Sequence, residues 1–397
     1  MNIDRAINLE DVRKLAKRRL PKICFDFIEG GVDDEDGLVR NRDAFRRYAL
    51  MPRYLVDVSK RDQSVTLFGR TYASPFGISP TGVAELFRHG ADTMLAEAAV
   101  AANIPFCLST NSQPSMERIA KIAPDHLWPQ IYGSHDSKIT LDMVKRARDA
   151  GLKTLLLTVD VPIAPKRERN ARNGFKRPFK MRWDVALEAC THPAWLISYF
   201  RHGGLPMMEN WQQYVAQGAS ANDVADFFGS QTPASGQTWK ILEQIREIWP
   251  GNLVVKGIMH PDDAVKATEI GANGIVVSNH GARQLDRAPS PLEVFPAIKA
   301  AVGDRSTLML ESGVRRGSDI VIALALGARS TFFGRPTLYG AAAAGPVGIK
   351  KVIEIVRTEV DLIMAQIGCP KLSTIGPEFL LQPDGDNFSA VHHRRIS

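Results

Sequence analysis

STLMLESGVRRGSDIVIALALGARSTFFGRP, residues 306–336, is the stretch on which the fold turns. It opens with a short apolar run, STLMLESG (306–313), and continues into a segment with helical spacing over 317–326. A second apolar run, STFFGRP (330–336), follows. Strand, helix and strand within so few residues predict two parallel strands, with the helix covering one face of the pair. Each strand runs into a loop of glycine and arginine, SGVRRGSD (312–319) and FFGRP (332–336).

The same unit recurs upstream. Short runs rich in β-branched or aromatic residues lie at FGISP (76–80), PFCLST (105–110), HLWPQIYG (126–133), LKTLLLTVD (152–160), NLVVKGI (252–258) and NGIVVSNH (273–280). Helical spacing fills 91–102, 115–123, 138–150, 238–249, 261–270 and 291–302 between them. Near-continuous apolar strands alternating with amphipathic helices predict a parallel sheet covered on its outside. Eight such units predict a closed (β/α)8 barrel, the TIM barrel, of class α/β. The alternative is an open doubly wound sheet, and no strand is followed by the GxGxxG turn that would favour it.

Three segments fall outside the eight units. Residues 8–50 read as helices before the barrel (1–50 as a whole precede it), 161–237 as a long insertion after strand 4, and 383–397 as a polar tail. Residues 1–382 are expected to form one domain.

Bulk composition fits this reading. The 397 residues are 44% hydrophobic and 23% charged, close to the globular average. Four cysteines stand far apart with no CxxC pair, which argues against a zinc module or a disulfide framework and fits a reducing compartment. The first residues, MNIDRAINLEDVRKLAKRRL, lack the apolar core of a secretory signal. No apolar run approaches the roughly 20 residues of a spanning helix. The net charge of +7 allows anionic partners, and part of it is concentrated in a basic stretch beginning at Lys166 and ending at Arg182.

In such a barrel, chemistry sits at the C-terminal ends of the strands. Polar residues recur there: Pro80 and Thr81, Ser109 and Thr110, Gln130 and Tyr132, Thr158 and Asp160, Lys256, then Ser278, Asn279 and His280, Glu311 and Ser312, and Gly334 with Arg335. A strand-end serine or threonine alone is an ordinary cap, and a lone histidine an ordinary core residue. Lys256 is harder to explain structurally, because an unpaired buried ammonium is costly. The joint pattern converges on one mouth. Arg315, Gly334 and Arg335 fall in the loops after strands 7 and 8, where these barrels hold a phosphate on backbone N–H groups. An anionic cofactor is expected, and no metal-ligand cluster is apparent.

SNHGARQLD (278–286) resembles the signature of the FMN-dependent 2-hydroxy acid oxidoreductases, among them glycolate oxidase and the lactate and mandelate dehydrogenases. The resemblance runs from about residue 8 to 382, with PTG, LST, QIY, TVDVP, VKG, SGVRRGSD and FGRPTLYG in register. WDVALEACTHPAWLISYFRHG (183–203) is most similar to the membrane-associated mandelate and lactate dehydrogenase branch. The resemblance implies FMN as cofactor and oxidation of a small L-2-hydroxy acid to its 2-keto acid. It makes His280 the base, Asp160 the carboxylate that stabilises the imidazolium, and Arg283 the carboxylate anchor, with Arg167 a second, more mobile one. Tyr132 bonds the substrate oxygen, and Lys256 stands beside the flavin pyrimidine. Flavin contacts carried over are Pro80, Thr81, Gly82, Ser109, Gln130, Thr158, Ser278, Glu311, Gly313, Arg315, Gly334 and Arg335.

The chain departs from the family pattern at several positions. Phe27 stands where the family has a tyrosine that helps hold the substrate carboxylate. Either a simple acid is then bound more weakly, or the ring lines a pocket for a bulkier substrate. Asn111 replaces the tryptophan of glycolate oxidases, leaving room on the substrate side. Glu311 replaces an aspartate and Ala282 a second glycine. Gly82 is the residue dehydrogenases carry where oxidases have alanine, which implies a quinone or other carrier as electron acceptor. An oxygen-using oxidase, and an FMN barrel acting on something other than a hydroxy acid, are the alternatives. A nucleic-acid-binding role is disfavoured, since such a protein has no need of His280, Asp160 and Lys256 around one pocket. A homo-oligomer, a tetramer, is implied. The expected location is cytoplasmic, with Trp183, Val185, Ala186, Trp195, Leu196, Tyr199 and Phe200 beside the basic stretch suited to peripheral attachment on the inner face of the membrane.

Overall fold

A computed structural model describes residues 2–175 and 182–381, and in it eight parallel strands close into a barrel. They are β1 (Phe76–Ile78), β2 (Phe106–Ser109), β3 (Leu127–Tyr132), β4 (Thr154–Thr158), β5 (Asn252–Ile258), β6 (Gly274–Val277), β7 (Thr307–Glu311) and β8 (Ser330–Phe333). Neighbours in sequence pair in parallel, and β8 closes on β1 with Thr331 opposite Phe76. The expected (β/α)8 architecture is therefore present, and each strand lies inside the run that predicted it.

The pleat sorts the residues of each strand. Cys107, Trp128, Leu156, Val254, Val276, Met309 and Phe332 point inward, one from each of β2 to β8, and form a buried plug with Leu67 and Tyr72. Alternation has a period of two, so the next inward position is two residues further toward the C-terminal mouth. Those positions are Ser109, Gln130, Thr158, Lys256, Ser278, Glu311 and Gly334. The outward-facing residues between them, such as Leu108, Ile131, Leu157 and Val255, pack against the helices.

The bottom of the barrel is closed by a hairpin, Val65–Leu67 paired with Arg70–Tyr72. Its two-residue turn, Phe68 and Gly69, has φ of 50° and 81°, as a primed turn requires. Three helices precede the barrel, Leu9–Arg19, Lys22–Glu29 and Asp36–Arg46. Asn8 caps the first by accepting from Asp11 N. That helix packs on the long helix Arg335–Gln366, which has no counterpart among the predicted segments. The sequence AAAAGPVG interrupts its periodicity, and the backbone leaves helical geometry at Ala344 and Gly345.

Among its described residues the insertion between β4 and β5 carries five helices joined by loops: Glu168–Arg172, Trp183–Cys190, Pro193–Arg201, Glu209–Gln212 and Ala221–Gln231. Two tryptophans fasten it to the barrel. Trp195 Nε1 donates to Leu86 O at 2.8 Å, and Trp211 Nε1 to Thr110 O at 2.9 Å. Trp195 therefore does not belong with the surface aromatics among which the sequence placed it, because its indole N–H finds a buried partner. Val185, Leu196 and Tyr199 are likewise half-buried against the core. The exposed apolar side chains of these helices are Trp183 (78%), Leu187 (62%), Ile197 (57%) and Phe200 (66%). Lys176, Arg177 and Lys180 of the basic stretch, and the tail 383–397, lie outside the described residues.

Candidate active site

A cavity of about 1000 Å³ opens over the C-terminal ends of the strands. At the top of the plug, polar side chains stand without partners. Gln130 Nε2 and Oε1 and Thr158 Oγ1 are buried and make no hydrogen bond within the described residues. Orphaned buried polar atoms are costly unless something pairs with them. A carboxamide beside a hydroxyl offers both donor and acceptor, and the carbonyl and N–H edge of a flavin ring fits that set.

Beside them lies a charged network. His280 Nδ1–H donates to Asp160 Oδ1 at 2.7 Å. Lys256 is 3% exposed, with Nζ 2.7 Å from Glu311 Oε2 and 3.5 Å from Asp160 Oδ2. Ser278 Oγ donates to Glu311, and lies 3.3 Å from Lys256 Nζ. Burial by itself would lower the lysine, but Asp160 and Glu311 hold its pKa above the ordinary value. Burial would raise Asp160, yet His280 and Lys256 keep it low, so it is an anion. For His280 burial prevails over the pull of Asp160 and sets its pKa below the usual 6.5. The ring is then neutral near pH 7, with Nδ1 committed to Asp160 and Nε2 left as acceptor. His280 has φ of 57°, a strained left-handed geometry in which functional residues are often held.

The motif SNHGARQLD divides by face. Ser278, His280 and Arg283 belong to the cavity side, while Asn279 and Asp286 hold the helix Asp36–Arg46. Asn279 exchanges carboxamide bonds with Asn41 at 2.7 and 2.9 Å, and Asp286 Oδ1 accepts from Gly37 N at 2.8 Å. Ala282 has φ of 57°, and a Cβ on Gly37 would lie 2.8 Å from Ala282 Cβ. Alanine is thus accommodated where the family pattern has glycine because the facing position has no side chain.

Three guanidinium groups, those of Arg283, Arg335 and Arg167, converge on the cavity. Arg283 Nη1 donates to Phe27 O and Gly30 O, both at 2.8 Å. Arg335 donates to Ile28 O at 2.9 Å and to Gly30 O and Gly281 O at 3.0 Å. Arg167 reaches Arg283 O at 3.1 Å and Gln284 Oε1 at 2.7 Å. Burial drives Arg283 well below its ordinary pKa, and Arg167 and Arg335 push it further. Such a cluster is electrostatically suited to an anion. Phe27 supplies more than its carbonyl: Arg283 Cζ stands 5.0 Å from the centre of its ring. The Phe27 ring lies 4.7 Å from Phe175, and the two line the cavity together, while Phe87, buried in the core, packs against Phe27 at 5.8 Å.

The remaining expected residues are placed as follows. Tyr132 lines the cavity, and burial raises its phenol to about 12, so it is a donor. Pro80, Thr81, Gly82 and Asn111 line one side, with the Asn111 amide lying over Gly82, where a Cβ would meet it at 2.5 Å. Gly313, Arg315, Gly334 and Arg335 line the other, and Gly334 and Arg335 open the long helix at its N–H end. Ser109, Ser278 and Gln130 sit at the floor beneath. Glu311 reaches Lys256 directly, so the longer side chain is accommodated within the network.

A family model for FMN-dependent dehydrogenases matches residues 16–382. The chain belongs to the FMN-dependent dehydrogenase family. It is an FMN flavoprotein and an oxidoreductase acting on CH–OH groups. It is 40% identical over 386 residues to the (S)-mandelate dehydrogenase of Pseudomonas putida, covering 97% of this chain and 96% of that one. It is 37% identical over 372 residues to an L-lactate dehydrogenase of Caulobacter vibrioides, covering 94% and 97%. A crystal structure of monotopic membrane protein (S)-mandelate dehydrogenase superposes with a TM-score of 0.91 at 40% identity, covering 95% of this chain and all of that one. No helix among the described residues is long and apolar enough to cross a membrane.

Sequence reasoning missed Phe175. It lies in the insertion with no motif around it, and only its meeting with Phe27 on the cavity makes it part of the site.

Proposed function

We propose that this FMN-dependent dehydrogenase oxidises a small L-2-hydroxy acid of the mandelate or lactate kind to the 2-keto acid. The observation that carries the reading is the juxtaposition, in one cavity, of the His280–Asp160 pair with the guanidinium groups of Arg283 and Arg167. The substrate carboxylate pairs with Arg283, whose fork favours a bidentate partner, and Arg167 adds positive charge at the rim. Its hydroxyl then meets the Tyr132 phenol and His280 Nε2. His280 accepts the proton, and Asp160 stabilises the imidazolium through the bond already in place. Bound FMN supplies the two-electron acceptor. Lys256 puts a fixed positive charge beside the unpaired Gln130 and Thr158, where it favours negative charge on the reduced ring. Pro80, Thr81, Gly82, Ser109 and Ser278 line the rest of the ring site, and Gly313, Arg315, Gly334 and Arg335 hold the phosphate.

The rings of Phe27 and Phe175 on the cavity support a substrate side chain that is apolar, with Asn111 also lining the cavity. Gly82 supports transfer of electrons to a quinone or other carrier. The exposed Trp183, Leu187, Ile197 and Phe200 support peripheral attachment to a membrane surface from the cytoplasmic side, and similarity to a monotopic membrane protein agrees. The test is anaerobic bleaching of the flavin over a panel of 2-hydroxy acids. Reduction by mandelate or lactate supports the reading, and no reduction by any 2-hydroxy acid refutes it. Stoichiometric peroxide in air would assign the acceptor to oxygen instead.

A further inference from the structure

Behind the loop that carries Pro80, Thr81 and Gly82 lies a buried carboxyl that no step above uses. Asp92, in the first turn of the helix Ala91–Ala102, is 1% exposed. The Ser112 hydroxyl is 3.0 Å from Asp92 Oδ1 and also 3.4 Å from Thr81 O. Asp92 Oδ2 is buried and has no hydrogen-bond partner among the described residues. The loop in front is strained, since Val83 is β-branched and has φ of 62°. Its other anchors are Val83 N to Asn111 O at 3.0 Å and Glu85 N to Gln113 Oε1 at 3.2 Å. A residue held in so sparsely populated a region persists only while its surroundings hold it there.

A serine hydroxyl has one proton to give. When Asp92 is ionised, Ser112 donates to the carboxylate, the stronger acceptor, and Thr81 O loses its donor. When Asp92 is protonated, its own O–H donates to Ser112 Oγ, and the serine proton goes to Thr81 O. We propose that Asp92 is a positioning residue for the flavin: through Ser112, its protonation state sets how firmly the Pro80–Val83 loop is held against the cofactor. The proposal rests on the assignment of Pro80, Thr81 and Gly82 to the flavin.

The surroundings bring the switch into the physiological range. Burial raises the Asp92 carboxyl and the nearby Glu85 carboxylate raises it further, while the bond from Ser112 and the Gln113 backbone N–H oppose them, leaving it at about 7. Glu85 is itself raised by burial. Other charged groups on this side include Arg88, His89 (3.9 Å from Glu85), His202 stacked on His89 at 3.7 Å, and the Arg118–Glu209 pair at 2.7 Å. None of them bonds to Asp92.

The experiment measures FMN dissociation from the full chain by the fluorescence of the released flavin, from about pH 6 to about pH 8, one unit either side of the Asp92 value. The wild type is expected to bind about threefold to tenfold more weakly at the upper end, the effect of one lost neutral hydrogen bond. In Asp92→Asn the carboxamide donates to Ser112 at every pH, so binding stays flat at the tight, low-pH value. In Ser112→Ala it is flat at the weak value. Infrared difference spectra of the chain should show a protonated carboxyl lost over the same range, present in wild type and Ser112→Ala and missing in Asp92→Asn. A flat wild type, or an Asp92→Asn variant that keeps the wild-type pH dependence, overturns the proposal. If Asp92→Asn fails to fold, Ser112→Ala alone decides it, by losing or keeping that dependence. A chain that binds no FMN at any pH would instead overturn the cofactor assignment, a different result from tight binding that ignores pH.

Discussion

Phe27 is the position where this chain departs most from its family's way of gripping a substrate, and Phe27→Tyr is the perturbation that reads it. The ring lies under the Arg283 guanidinium, 5.0 Å from Cζ, and faces the cavity. A phenol there adds a donor close to where Arg283 would hold a carboxylate, while nearly preserving the ring's contacts with Phe87 and Phe175. A hydrogen bond to a charged group contributes about 1.5–3 kcal/mol, less the cost of desolvating the new hydroxyl. A net gain of about 1.4 kcal/mol is a tenfold lower Kd. The assay is anaerobic stopped-flow reduction of the flavin, which separates the Kd of the hydroxy acid from the limiting reduction rate. We expect Kd to fall about tenfold with the limiting rate little changed, because the carboxylate is held equally in ground and transition states. Phe27→Leu provides the control. It keeps an apolar side chain but loses the aromatic face beneath Arg283, a contact contributing about 0.5–2 kcal/mol, so Kd should rise about twofold to thirtyfold. If neither substitution moves Kd for any 2-hydroxy acid, Phe27 does not act on the carboxylate site. If Phe27→Tyr weakens binding of the best substrate, the ring serves its apolar side chain instead, since a buried hydroxyl without a partner is costly.

His280→Asn should retain flavin but slow its reduction by about 10²–10⁴-fold or more, and a near wild-type rate would remove His280 from the role of base. The wild-type reduction rate should be flat above neutrality and fall about tenfold per unit on the acid side. The base acts only when neutral, and burial places its pKa below 6.5, so an acid limb centred above that value would refute the assignment. Arg283→Lys keeps the charge but loses the fork and two carbonyl bonds, so kcat/KM should fall by at least about a hundredfold, roughly 2.7 kcal/mol, with flavin content unchanged; unchanged kinetics would mean the carboxylate is held elsewhere. Replacing the exposed Trp183, Leu187, Ile197 and Phe200 together by serine should abolish sedimentation with anionic vesicles and leave flavin reduction within about twofold, because none of the four is buried. Equal sedimentation of the variant would place any membrane contact on another surface.

The amino-acid sequence determined the barrel, because strand period and helix period are local properties and eight repeats of one unit leave little choice of closure. It also brought out the polar strand ends. Their common cause is the pleat: Gln130, Thr158, Lys256, Ser278 and Glu311 each follow a plug residue by two positions, so a pattern readable along each strand becomes a ring of side chains around one mouth. Likeness to a family assigned His280, Asp160 and Arg283 to one site although 120 residues separate the first two.

Tertiary structure alone decided what depended on distant segments meeting. Trp195 is fixed by a carbonyl 109 positions away, and that turned an expected surface aromatic into core while Leu187 and Ile197 took the exposed face. Phe175 joined Phe27 across the insertion, which no spacing along the chain announces. The proton choice at Ser112 exists only because Asp92 and Thr81, twenty and thirty-one residues before it, come to the same hydroxyl from opposite sides. Periodicity is written in neighbours along the chain and is legible there. Burial and hydrogen-bond competition are set by neighbours in space, and a single sequence does not say which residues those will be.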